Sequence, residues 1–133
     1  MIAGVGIDLV DRARFEDLLR EPGSAFEART FTAAERATAA SRPSRDPAQH
    51  LAARYAAKEA CVKALAQALA PAALPAGLAD LAEIEVLSDD DGRPSLALRG
   101  RVRALAERAG VTALHVSLSH DGPLATALVI AER

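Results

Sequence analysis

The sequence predicts an α+β fold, a mainly antiparallel sheet packed against one long helix. Three observations predict it. Five short apolar runs have strand length: residues 2–10, 83–87, 95–99, 114–119 and 124–132. One uninterrupted helical pattern runs from about Ala48 to Leu69. The order β-α-α-α-β-β-α-β-β pairs neighbouring strands through turns, which suits hairpins better than parallel crossovers. At 133 residues the chain is expected to form one domain, 1–133, large enough for a real core.

Each element has a local cause. In the first strand Ala3, Val5, Ile7 and Leu9 share one face; Gly4, Gly6, Asp8 and Val10 share the other. Asp11 is placed to cap a helix carrying Phe15, Leu18 and Leu19 inward, and Pro22-Gly23 stops it. Thr32-Ala33-Ala34-Glu35 is a capping box opening a short helix. Residues 41–47, SRPSRDP, read as a loop before the long helix, which Pro71 and Pro75 end. Asp91-Gly92 turns the strand 83–87 back on 95–99. Residues 100–109 form a helix closed by Gly110. HDGP, 120–123, joins the last two strands.

Composition narrows the function classes. Hydrophobic residues make up 50% and aromatics only 3%, so the core must be built from Ala, Leu and Val. Such small side chains fill space poorly, which points to an oligomer. The net charge of −2 argues against a broad nucleic-acid footprint, which needs a basic field. The single cysteine, Cys61, excludes an internal disulfide and fits a reducing compartment; in an Ala-rich helix it reads as buried filler. MIAGVGIDLV has no basic n-region and meets Asp8 early, so it reads as neither a leader nor a membrane span. A cytoplasmic protein is expected.

Two features could carry chemistry in the first half. Of 16 Lys+Arg, only Lys58 and Lys63 are lysine, and both fall in ARYAAKEACVKAL, 53–65. Glu59 and Lys63 are i,i+4 neighbours, an ion pair worth about 0.3–0.5 kcal/mol if nothing more. Arg54 and Lys58 form a second pair on another flank. Asp8 is a carboxylate in an apolar strand, costly unless paired or bound to a metal. Asp8 and Glu59 together suit a hard cation such as Mg²⁺, which takes one or two carboxylates, keeps waters and binds phosphates. Carboxylates beside Lys and Arg therefore read as a phosphate-transfer or phosphate-binding site.

The other feature is HVSLSHDG, 115–122. Ser119-His120-Asp121 is contiguous and cannot form a hydrolase triad, because adjacent strand residues point to opposite faces. His115, Ser117 and Ser119 are expected on one sheet face, with His120 at the strand end donating to an oxyanion. The histidines lack metal-ligand spacing. His50 is expected to be exposed.

GVGIDLV (4–10), FTAAE (31–35), LAARYAAKEACVKAL (51–65), the hairpin EIEVLSDDDGRPSLALRG (83–100) and HVSLSHDGPLATALVIAE (115–132) resemble the holo-acyl-carrier-protein synthases, the short class of 4′-phosphopantetheinyl transferase. The resemblance spans nearly the whole chain in order. It implies the 4′-phosphopantetheinyl transferase fold and transfer of phosphopantetheine from coenzyme A to a serine of an apo acyl carrier protein, with release of adenosine 3′,5′-bisphosphate. It implies a homotrimer with coenzyme A in clefts between subunits, acting in fatty-acid or polyketide synthesis.

Carried over by motif, Asp8 and Glu59 would bind Mg²⁺. Lys63 would face the phosphates or assist proton transfer. Glu59 or a water on the metal would be the base. Arg54 and Lys58, with Arg45 from the preceding loop, would hold the nucleotide phosphates. Ser119 and His120 would lie near the pyrophosphate or the ribose phosphate. Arg14 suits an acidic carrier helix. One departure stands out: after KEACVKA the family runs into a glycine-rich turn, where this chain has AQALAPAALPAG (66–77), so residues 66–78 are given no role. A non-catalytic domain binding coenzyme A or a nucleotide is the alternative; it would use the basic flank but not the carboxylate pair.

Overall fold

A computed structural model describes residues 1–41, 46–77 and 80–133. The order is β1 (Ile2–Asp11), α1 (Arg12–Arg20), α2 (Phe26–Thr30), α3 (Ala33–Ala40) and α4 (Pro47–Leu69). Then follow β2 (Ile84–Ser88), β3 (Pro94–Leu98), α5 (Gly100–Arg108), β4 (Ala113–Asp121) and β5 (Leu124–Glu132). The α+β architecture expected from the sequence is present, with every strand pair antiparallel. The strands divide into two sheets, β1-β5-β4 and the hairpin β2-β3.

Local signals account for most boundaries. Asp11 caps α1 by accepting from the Arg14 amide. The Thr32–Glu35 capping box opens α3. Asp46 caps α4, with Pro47 in its first turn. Helix α2 is the element the sequence did not announce; it is five residues long and has no side-chain cap. Its Phe26 packs on Phe15 and Tyr55, so it is held by tertiary contact and not by propensity.

The centre of the molecule is α4 lying on β1 and β5. Ala52, Ala56, Ala57, Ala60, Cys61, Ala64 and Leu65 are fully buried along it. A Cβ on Gly6 would stand 1.8 Å from the Ala60 carbonyl oxygen, and one on Gly4 2.0 Å from that of Ala64. Glycines in the strand and alanines in the helix thus bring the two backbones into contact. Cys61 is part of this seam; burial pushes its thiol up to about 12, which fits filler and not a nucleophile.

The close approach decides which face of β1 is inside. Gly4, Gly6 and Val10 face α4, and Asp8 shares their face. Val5, Ile7 and Leu9 point outward, Ile7 and Leu9 more than 60% exposed. Leu124 and Leu128 of β5 join them on the outer side, Leu128 directly opposite Ile7. The small inner residues and the uncovered outer aliphatics have the same origin: the sheet gives its close-packing face to one helix and leaves its larger apolar side chains outside. No described helix is long and apolar enough to cross a membrane.

Candidate active site

Register brings the first carboxylate to the helix. Asp8 pairs with Ala127, so it follows Gly4 and Gly6 along the inner face of β1. Glu59 precedes Ala60, the alanine against which Gly6 packs. The close contact between strand and helix therefore sets Asp8 and Glu59 into one cleft of about 300 Å³, whose rim also carries Arg14. Burial raises the Glu59 carboxyl above its ordinary value, and the negative charge of Asp8 raises it further. Lys63 does not pair with Glu59. It reaches back over the strand edge, its Nζ 2.8 Å from the Ile7 carbonyl and 3.1 Å from Asp8 Oδ1.

Tyr55 is a site residue the sequence reading missed. It lies one turn before Glu59 on α4, with its phenol beside the Glu59 carboxylate. Burial and the neighbouring carboxylates push the phenol up to about 12, so it stays a donor. Its ring packs 5.5 Å from both Phe15 and Phe26, and Phe15 touches Phe31. All four aromatic residues of the chain, three Phe and one Tyr, thus form one cluster behind Glu59. Tyr55 and Glu59 together form a wall shared with a second cleft of about 470 Å³, lined by Phe26, Arg29, Val62 and Leu81. The i,i+4 spacing of Tyr55 and Glu59 was the available signal.

The nucleotide-binding candidates separate into three fates. Arg54, Ser119 and His120 come together in a cleft of about 410 Å³ between the start of α4, the β2-β3 turn and β4. Arg54 donates to the His50 carbonyl and Ser88 Oγ, both at 3.3 Å. The Gln49 amide nitrogen lies 3.0 Å from His120 Nδ1. An amide nitrogen only donates, so Nδ1 accepts and the ring proton sits on Nε2, available to an oxyanion. Ser119 and His120 face opposite sides of β4, as strand geometry requires, so no triad exists. His115, Ser117 and Ser119 share the exposed face, with His115 near the start of β4 and bonded to Glu132 at 2.8 Å.

Lys58 is a correction. It was expected on the phosphates, but it is fully buried, with Nζ 2.7 Å from Glu35 Oε1, 2.6 Å from the Ile84 carbonyl and 3.0 Å from that of Leu81. Phe31 covers it at 5.4 Å. Burial lowers its pKa, opposed by Glu35. All three ammonium donors are satisfied inside the protein, so Lys58 ties α4 to α3 and β2 and has no reach to a ligand. His50 is the second correction: it is buried, 5% exposed, in the first turn of α4. Arg45 lies outside the described residues.

Carboxylates facing each other across a strand–helix contact, beside a separate Arg/His cleft, form an arrangement for polyanion chemistry. Residues 4–129 match the model of the 4′-phosphopantetheinyl transferase superfamily. The chain belongs to this family. A holo-acyl-carrier-protein synthase of Paramagnetospirillum magneticum is 49% identical over 136 residues, covering 99% of this chain and 97% of its own. The acyl-carrier-protein synthase–CoA complex of Chronobacterium ammoniagenes superposes with a TM-score of 0.86 at 43% identity, covering 96% of this chain and 95% of that one. The Helicobacter pylori holo-acyl-carrier-protein synthase in complex with coenzyme A gives a TM-score of 0.75 at 25% identity, covering 96% and 99%. Membership of this family makes the chain a transferase with the phosphopantetheinyl transferase fold.

Proposed function

We propose that this chain, acting as one domain, transfers the 4′-phosphopantetheine group of coenzyme A to a serine of an apo acyl carrier protein, leaving adenosine 3′,5′-bisphosphate, with Mg²⁺ held by Asp8 and Glu59. The observation that carries the reading is the meeting of these two carboxylates in one cleft of a family member. The donor set fits the ion. Among the described residues no group of three or more His, Cys, Asp or Glu could hold a metal. A two-carboxylate site that leaves the remaining positions to water and substrate phosphate is the habit of Mg²⁺. The mutual repulsion evident at Glu59 is what a divalent cation relieves. When bound, Mg²⁺ neutralises charge on the pyrophosphate.

The chain's own groups divide the remaining work. The serine oxygen forms its bond to the phosphorus carrying pantetheine as its proton passes to Glu59 or a water beside it; the pyrophosphate bridge breaks, and the bridging oxygen leaves with the nucleotide. Lys63, half exposed at the strand edge, can turn its ammonium to these phosphates. Arg54, His120 Nε2–H and Ser119 suit the nucleotide's phosphates in the cleft of about 410 Å³ beside the start of α4. Arg14, exposed at the rim of the carboxylate cleft, suits an acidic carrier surface. Incubation with coenzyme A, Mg²⁺ and apo carrier protein should add one phosphopantetheine mass to the carrier. No mass gain with several carriers would sink the reading.

We further infer a homotrimer formed through the outer sheet face, because Val5, Ile7, Leu9, Leu124 and Leu128 stand exposed together. The same strands carry Asp8 inside and Ser119 at the far edge, so assembly through this face would bring clefts of neighbouring copies together. Ile7→Arg puts a charge at its centre without touching the α4 contact. The variant should run as a folded monomer by light scattering and lose most transfer activity; an unchanged assembly would refute the interface.

A further inference from the structure

A cation stands beside the carboxylate cleft and bonds to one of its carboxylates. Asp8 makes its one salt bridge among the described residues with Lys63, at 3.1 Å. The same ammonium donates to the Ile7 carbonyl at 2.8 Å, so two oxygens of adjacent residues hold it over the edge of β1. Glu59, one helical turn before Lys63, forms no salt bridge with it, although the spacing allows one. The ammonium has therefore settled on Asp8. The two ends of this contact differ: the Asp8 side chain is 18% exposed and anchored in the sheet, while that of Lys63 is 54% exposed and flexible. One partner is fixed and the other is free to leave.

Resting on the metal reading above, we propose that Lys63 is the resident counter-ion of Asp8 in the donor-free enzyme, holding the carboxylate in place and competing with the divalent cation until substrate phosphates draw the ammonium away. Charge supports the exchange. Asp8 and Glu59 repel each other, and one ammonium offsets part of that repulsion. A divalent cation and an ammonium sharing Asp8 repel in turn, so the two exclude each other while no further anion is present. Phosphates of the donor supply that anion. Metal and donor should then bind cooperatively, with Lys63 as the coupling element.

The test is binding of Mn²⁺, followed by its electron paramagnetic resonance signal, to the full chain without coenzyme A. Lys63→Met keeps the length of the side chain and removes the charge; it should bind Mn²⁺ about tenfold more tightly than the unaltered protein, the size expected for a partly screened unit charge a few ångströms away. Lys63→Arg keeps the charge and should leave the affinity within twofold. Coenzyme A should tighten Mn²⁺ binding more in the unaltered protein than in Lys63→Met. Asp8→Asn separates the two readings. If it loses Mn²⁺ binding while Lys63→Met binds no better than the unaltered protein, the counter-ion proposal is wrong and the metal site stands. If Asp8→Asn binds Mn²⁺ as well as the unaltered protein, both are wrong.

Discussion

Glu59→Gln should lower transfer about a thousandfold and at the same time raise the unfolding temperature of the metal-free protein. The first effect follows from removing one of two carboxylates proposed to hold the ion; a thousandfold loss is about 4 kcal/mol of barrier, within the several kcal/mol that such charge stabilisation supplies. The second follows from the environment of Glu59. Burial, and then the charge of Asp8, raise its folded pKa above the unfolded value. A carboxyl whose pKa is raised on folding contributes stability that is fully present below its unfolded pKa and is lost as pH rises through the folded pKa. Above that range the ionised group is a cost, which the neutral amide avoids. The gain in unfolding temperature should therefore be present at pH 8 without divalent ions and shrink toward pH 4. Thermal scans at the two pH values, with rates from carrier mass spectra, check both halves. A variant with normal turnover would remove Glu59 from the metal site, and one destabilised at pH 8 would mean the carboxylate is satisfied without an ion.

Different residues show how far the sequence could be read. Asp8 and Glu59 were legible because each departs from its local background: a carboxylate in a glycine-bearing strand, and a charge in an alanine helix. Their meeting was not legible from spacing, since position 59 lies far from position 8 in the chain; the chemistry of two carboxylates beside cations suggested it, and the resemblance implied the same pair. Caps were legible because they are local; Asp11 and Thr32 behave as their positions require. Lys58 was misplaced for the opposite reason. A helical wheel put it on a polar flank with Arg54, but burial depends on what packs there, and Glu35 and the Ile84 and Leu81 carbonyls come from distant chain segments. Glu35 had been read only as the end of a capping box, yet the same carboxylate also accepts from Lys58 and from the Val86 amide. The faces of β1 were separated correctly by period, but period does not say which face is inside; that was decided by the alanines of α4.

Gly6→Ala should be among the most damaging single-methyl changes in the chain. The Gly6 backbone angle is ordinary, so an alanine there is not strained by conformation; the whole cost is space. The added Cβ would lie 1.8 Å from the Ala60 oxygen, and 2.8 Å from both the Ala60 carbon and the Ala64 nitrogen. All three are backbone atoms of a helix that is buried on most sides, so no side chain can rotate out of the way. Contrast Gly100, where φ is +54° and a Cβ would meet only the Glu83 carboxylate; there the backbone conformation is itself an obstacle, whereas at Gly6 it is space alone. Overpacking at Gly6 should therefore sit at the upper end of its usual range, about 3 kcal/mol, read as a fall in the urea midpoint with little change in slope. Relief requires α4 to move off β1, and that movement also separates the two carboxylates, since Asp8 lies two residues beyond Gly6 and Glu59 immediately before Ala60. Transfer should consequently fall more than tenfold even at low temperature, where the variant remains folded by circular dichroism. Loss of stability with full activity in the folded fraction would show that the strand–helix contact holds the fold without setting the site; a loss below about 1 kcal/mol would show that the helix shifts freely, against the close packing that the alanine seam implies.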